Sequence, residues 1–141
     1  MDNTKIVTES GEETKAYAKK IAKDFKNGGI IALYGNLGSG KTTFVQGLAE
    51  GLGINRRIIS PTFLIIRKYK TAQDSDFYHI DLYRMESESD IKGLGLSEIF
   101  ENPKNIVAIE WAEKAGEVLP KNRMDIYFKY IKDSTREIST T

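Results

Sequence analysis

The segment Gly35-Asn36-Leu37-Gly38-Ser39-Gly40-Lys41-Thr42 constrains this chain more than any other. It has the form Gly-x-x-x-x-Gly-Lys-(Ser/Thr), the Walker A phosphate loop. Average residue usage gives such a match by chance in only about one in 200 chains of this length. The motif carries meaning only between a buried strand and a helix. Gly29 to Tyr34 (GIIALY) precedes it, a short continuous apolar run of the kind that forms a strand covered on both faces. Lys41 to Gly51 follows, with Phe44, Val45, Leu48 and Ala49 spaced for one side of a helix. The glycines allow backbone conformations and close approach that a Cβ would block. Successive N–H groups can then point inward around anionic oxygens, and the helix adds its positive N-terminal end. Lys41 is placed for the β- and γ-phosphates, and the Thr42 hydroxyl for magnesium. A plain glycine-rich turn would not need Lys-Thr at that offset.

The remaining chain is read around this loop. Lys5-Ile6-Val7 suits a short first strand, and Glu12 to Lys26 an amphipathic helix stopped by Asn27-Gly28-Gly29. Phe63 to Tyr69 and Phe77 to Tyr83 read as strands forming a hairpin across the polar turn Thr71 to Ser75. Glu86 to Asp90 is expected to start a helical stretch, which Leu96 to Phe100 either continues or follows as a second short helix, broken by Asn102-Pro103. Asn105 to Trp111 (NIVAIEW) is another buried-type strand, and Asp125 to Tyr130 alternates and suits pairing with Arg136 to Ser139. The expected fold is a P-loop NTPase of the α/β class, three layers α/β/α with a mixed parallel and antiparallel sheet, in a single domain over residues 1–141.

Magnesium beside a phosphate loop needs a further partner, an acid at the end of a buried strand. Glu110 ends Ile106-Val107-Ala108-Ile109, and Asp81 lies in Tyr78-His79-Ile80-Asp81-Leu82-Tyr83-Arg84. Either acid qualifies, and either could instead orient an attacking water. Asp81 shares a strand face with His79 and Tyr83. His79, the single histidine, suits a hydrogen-bonding strand role more than catalysis, and Trp111 a core or interface role. Ser60-Pro61-Thr62 occupies the place where nucleotide switches sense the γ-phosphate, or is an ordinary turn.

Composition removes several classes. With no cysteine, disulfides, thiol catalysis and Cys-ligated zinc are excluded. A net charge of +1, from 21 basic and 20 acidic residues, gives no whole-molecule pull toward nucleic acid or membrane. Met1 to Lys15 lacks a signal-type apolar run, and no apolar stretch approaches the roughly 18 residues of a span. A cytoplasmic protein is expected. A GTPase would carry an Asn-Lys-x-Asp guanine selector, which is absent. Asp90-Ile91-Lys92-Gly93 matches Asp-x-x-Gly without a buried strand before it. ATP is therefore the expected nucleotide. A small-molecule P-loop kinase, which usually gathers arginines in a lid, and a nucleotide-dependent binding module with negligible hydrolysis remain as alternatives.

Four blocks in order, Gly35-Asn36-Leu37-Gly38-Ser39-Gly40-Lys41-Thr42-Thr43-Phe44, Ser60-Pro61-Thr62-Phe63, His79-Ile80-Asp81-Leu82-Tyr83-Arg84 and Ile109-Glu110-Trp111, closely resemble the bacterial TsaE (YjeE) family. Leu94-Gly95-Leu96-Ser97-Glu98 is similar to a further family segment, and the resemblance runs to about Leu119-Pro120. It implies a weak, Mg²⁺-dependent cytoplasmic ATPase. Such a protein acts with TsaB and TsaD in forming N6-threonylcarbamoyladenosine in tRNA, with TsaD carrying the transfer and tRNA met only through the complex. By the same resemblance, Asn36 to Thr43 would hold the nucleotide, and Thr42 with Glu110 (Asp81 the other candidate) the metal. Lys41, Asp81, Glu110 and the Thr62 loop would serve hydrolysis or switching. Ser10, Gly11 and Arg136 are candidates for the adenine side.

Overall fold

The structure is a computed structural model, which describes residues 3–58 and 65–141. Among these, seven strands form one sheet: β1 (Thr4–Thr8), β2 (Gly29–Tyr34), β3 (Ile66–Lys70), β4 (Asp76–Asp81), β5 (Ile106–Glu110), β6 (Met124–Lys132) and β7 (Thr135–Thr140). Their order is β1-β7-β6-β2-β5-β4-β3. The inner four, β6-β2-β5-β4, run parallel, while β7, β1 and β3 add antiparallel edges. The mixed sheet and the β3–β4 hairpin are as the alternation and turn signals predict. The Ser60-Pro61-Thr62 block and the expected start of β3 at Phe63 lie outside the described residues.

Two apolar clusters sandwich the sheet. On one face lie α1 (Gly11–Ala22) and α2 (Lys41–Gly51), which bury Ala18, Ile21, Phe44, Val45 and Leu48 against Ile31, Leu33, Phe77, Ala108 and Ile126. On the other, α3 (Glu88–Lys92), α4 (Leu96–Glu101) and 3-10 turns over Ala112–Val118, kinked at Gly116, cover Ala32, Ile80, Val107 and Ile109. All five residues of β5 are buried, which is why its sequence is a continuous apolar run rather than an alternation. No helix among the described residues is long and apolar enough to cross a membrane.

The boundaries shift for local reasons. The expected helix to Lys26 is α-helical only to Ala22, then tightens into a 3-10 turn at Lys23–Phe25, where the Lys23 N–H reaches back to Lys20 O. Its start is fixed by Ser10, whose side chain accepts from the Glu13 N–H at 3.1 Å. Strand β4 stops at Asp81 rather than Tyr83, because the Asp81 carboxylate accepts the Tyr83 N–H at 3.0 Å and turns the chain. Strand β5 stops at Glu110 because Trp111 is left-handed (φ 58°, ψ 42°).

Helix α2 is held against α1 at Gly47. A Cβ there would lie 2.6 Å from Lys15 O and 2.8 Å from the Ala18 Cβ. Both neighbours belong to a packed helix that cannot yield locally. Gly47→Ala is expected to destabilise the fold by about 1–3 kcal/mol, the usual cost of overpacking. Urea unfolding would show it as a lower midpoint at unchanged slope, and a midpoint equal to wild type would refute the close packing.

Candidate functional site

Strand β2 aims the chain into the phosphate loop, where Gly35, Gly38 and Gly40 all have backbones that other residues rarely adopt. Gly35 has φ 148°, and a Cβ on it would lie 2.6 Å from Ser39 Oγ and 2.8 Å from Phe128 O. Gly40 has φ 107° and caps α2. The loop closes on itself through Ser39 N–H donating to Asn36 O at 3.1 Å. Ser39 Oγ is buried with no hydrogen-bond partner.

Lys41, first residue of α2, is only 5% exposed. Its ammonium donates to Gly35 O and to Asn36 O, the latter at 3.2 Å, and sits 4.1 Å from the centre of the Trp111 ring. Burial pulls its pKa below the usual lysine value, and the charges of Glu110, Glu113 and Asp81 pull it back. Carbonyl acceptors and an aromatic face replace part of the lost water, so the ammonium stays close beneath the loop.

Parallel pairing sets Leu33 opposite Glu110 and Glu110 opposite Asp81, so β2, β5 and β4 end at one level. Across from them, Thr42 Oγ1 donates to Glu110 at 3.1 Å (Oε1) and 3.3 Å (Oε2). Glu110 is 3% exposed. Its Oε2 lies 2.5 Å from Nε2 of His79, a residue with no exposure at all. Burial first, and then the Glu110 charge, raises the Asp81 pKa above the usual carboxylate range; the Tyr83 N–H, His79 and Lys41 work against this.

A cavity of about 420 Å³ collects most of the residues the sequence singles out: Leu37, Gly38, Ser39, Gly40, Lys41, Thr42, Thr43, Asp81, Glu110 and Arg136. Asn36 contributes its carbonyl to Lys41 rather than a wall. Arg136, distant in sequence, arrives on β7 beside Gly40, with its side chain 3.6 Å from where a Gly40 Cβ would sit. Its Nη1 donates to Asp133 O and Thr135 O, and its buried Nε has no partner. Ser10 and Gly11 do not line the cavity: the Ser10 hydroxyl is committed to capping α1, while Gly11 faces Thr43. Thr62 lies outside the described residues. Asp90, in the Asp-x-x-Gly match, is an exposed residue of α3 and away from the cavity lining.

Some residues at the site carried no site assignment in sequence. Trp111 and Tyr83 line the cavity, their ring centres 5.1 Å apart, and Lys114 lies over both. Strand parity alone does place His79 on the face of Asp81, but its contact with Glu110 depends on the register of β4 against β5.

Chemically, glycine-shaped backbone, a buried lysine and a helix N-terminus suit an anion. Among the described residues no three His, Cys, Asp or Glu side chains gather as a metal cage. The oxygen set of Thr42, Glu110 and Asp81 suits a hard cation that keeps waters and takes its other ligands from phosphate, as Mg²⁺ does.

Comparison with known proteins gives one family. The model of "Threonylcarbamoyl adenosine biosynthesis protein TsaE" matches residues 8–138. The chain is 46% identical to the tRNA threonylcarbamoyladenosine biosynthesis protein TsaE of Bacillus subtilis over 141 residues, covering all of this chain and 87% of that one. It is 38% identical to the Rickettsia bellii protein of the same name, covering 100% and 96% of the two chains. The crystal structure of Bacillus subtilis YdiB superposes with a TM-score of 0.82 at 40% identity, covering 99% of this chain and 84% of that one.

The raised Asp81 pKa sets a stability prediction. The folded state holds this proton more tightly than the unfolded chain, so stability falls as pH rises from the ordinary aspartate range through the raised value. Asp81→Asn keeps the acceptor for Tyr83 and removes the buried charge. Its melting temperature at pH 7 is expected to exceed wild type, with the gain vanishing below the ordinary aspartate range. A lower melting temperature at pH 7 would contradict the burial cost.

Proposed function

The chain belongs to the TsaE family, and on that premise we propose that it is a cytoplasmic, Mg²⁺-dependent ATPase supporting N6-threonylcarbamoyladenosine formation in tRNA. The observation carrying this reading is the convergence of the loop, Lys41, Thr42 and Glu110 at the ends of three parallel strands. The orphaned Ser39 Oγ and Arg136 Nε at the same cavity are polar groups in want of an anionic or hydroxylic partner, which a nucleotide supplies. Absence of an Asn-Lys-x-Asp selector favours ATP.

Each residue then has a role. The loop amides and Lys41 hold phosphate oxygens and neutralise their charge. Thr42 and Glu110 would hold the metal, with Asp81 on the neighbouring strand end. Mg²⁺ held there would supply charge neutralisation at the phosphates. Glu110 is committed to Thr42 and His79, which leaves the less buried Asp81 to orient water for in-line attack. Arg136 approaches the nucleotide from β7. The partners are TsaB and TsaD, tRNA being reached through their complex, and hydrolysis times repeated rounds of that complex.

The test is reconstituted tRNA modification with TsaB and TsaD, followed over many turnovers, alongside phosphate release. Lys41→Ala and Glu110→Ala are each expected to slow hydrolysis by about 10²–10³-fold, the usual loss on removing one charge-stabilising group. Unchanged hydrolysis in both variants would overturn the mechanism. Full multiple-turnover modification with a non-hydrolysable ATP analogue would favour a nucleotide-dependent binding module. Labelled phosphate appearing on a metabolite would favour a kinase.

A further inference from the structure

His79 has no role in the reading above, yet it is the most enclosed polar side chain touching it. It sits on β4 with no solvent exposure, two residues before Asp81 on the same strand face. Its Nε2 is 2.5 Å from Glu110 Oε2 across the β4–β5 pair. Its other ring nitrogen, Nδ1, is buried without a partner. An ionised carboxylate only accepts, so Nε2 carries the hydrogen and donates it. The entire hydrogen-bonding capacity this ring uses is spent on one oxygen of Glu110.

That oxygen matters because the terminal torsion of a glutamate is soft and broad. Thr42 alone does not fix it: its hydroxyl lies 3.1 Å from one oxygen and 3.3 Å from the other, nearly equidistant. The short bond from His79 breaks this near-symmetry. It ties Oε2 to the sheet and leaves Oε1 with the Thr42 hydroxyl at 3.1 Å, near the start of α2.

We propose that His79 is a positioning residue, which fixes the Glu110 carboxylate so that Oε1 and the Thr42 hydroxyl together face one cation. The proposal rests on the reading of Thr42 and Glu110 as the metal-holding pair. Partners of this kind, which orient a ligand without touching the ion, typically change metal affinity by about 10–100-fold when removed. A buried polar residue with a merely structural task would change stability instead and leave metal linkage alone.

The test measures binding of a non-hydrolysable ATP analogue by calorimetry, first with EDTA and then with Mg²⁺. The magnesium-linked gain in affinity is the readout. Glutamine places its side-chain nitrogen near the position of histidine Nε2, whereas asparagine reaches only to that of Nδ1. His79→Leu and His79→Asn are therefore expected to lose about 10–100-fold of the gain while keeping the metal-free affinity. His79→Gln is expected to keep most of it. A folded His79→Leu protein with the wild-type gain would overturn the proposal. Should the leucine variant not fold, equal gains in the glutamine and asparagine variants would overturn it as well. Wild-type protein with no magnesium-linked gain would instead overturn the metal reading itself, so the two failures are told apart.

Discussion

Everything at the site depends on the register of three parallel strands. Leu33 of β2 pairs with Glu110 of β5, which pairs with Asp81 of β4. A slip of one residue would turn Glu110 to the other face of the sheet, away from α2, and bury Ile109 where the carboxylate now sits. The apolar runs on β2 and β5 prevent such a slip poorly by themselves, since both faces are buried and both sides of each strand are apolar. What fixes it is polar: His79 to Glu110 across β4 and β5, and Thr42 to Glu110 from the helix. The hydrogen bonds that shape the site thus also select the pairing that builds it.

The same enclosure acts on the charges. Lys41 and Asp81 are both displaced from their ordinary ionisation by burial, in opposite directions, each tending toward its neutral form. Lys41 and the two acids partly compensate one another, while the Glu110 charge adds to the burial of Asp81 in pushing it toward its neutral form. A polyphosphate with its cation would bring two negative and positive partners into this set, and the cost of holding isolated charges under low dielectric would be offset on binding.

Much of this was legible in the sequence because it is local. The Walker motif, the apolar run before it and the helix after it need no tertiary information, and Glu110 stands at the end of an apolar run that patterning alone locates, whereas Asp81 reads as lying inside a strand to Tyr83 that the structure ends at Asp81 itself. The hairpin of β3 and β4 and the pairing of β6 with β7 likewise follow from alternation and turn residues. The missing parts are those decided by register or by a single backbone angle. No periodicity announces that Trp111 adopts a left-handed conformation and lays its ring under Lys41, nor that 112–118 then coils in 3-10 turns. The contact of His79 with Glu110 needs the strand pairing. Ser10 reads equally as a helix cap or as a ligand contact, and its hydroxyl is used as the cap.

The packing at Gly47 has a mechanical meaning. Because the backbone of α1 lies against that glycine with no room for a methyl group, the two helices form a stiff pair, and a shift of one is a shift of both. The start of α2 carries Lys41 and Thr42; α1, through the 2.7 Å hydrogen bond between Thr14 and Thr8, is tied to the far edge strand β1. Strain applied at the loop ahead of α2 therefore has a rigid lever to act on, whose other arm ends at the opposite border of the sheet.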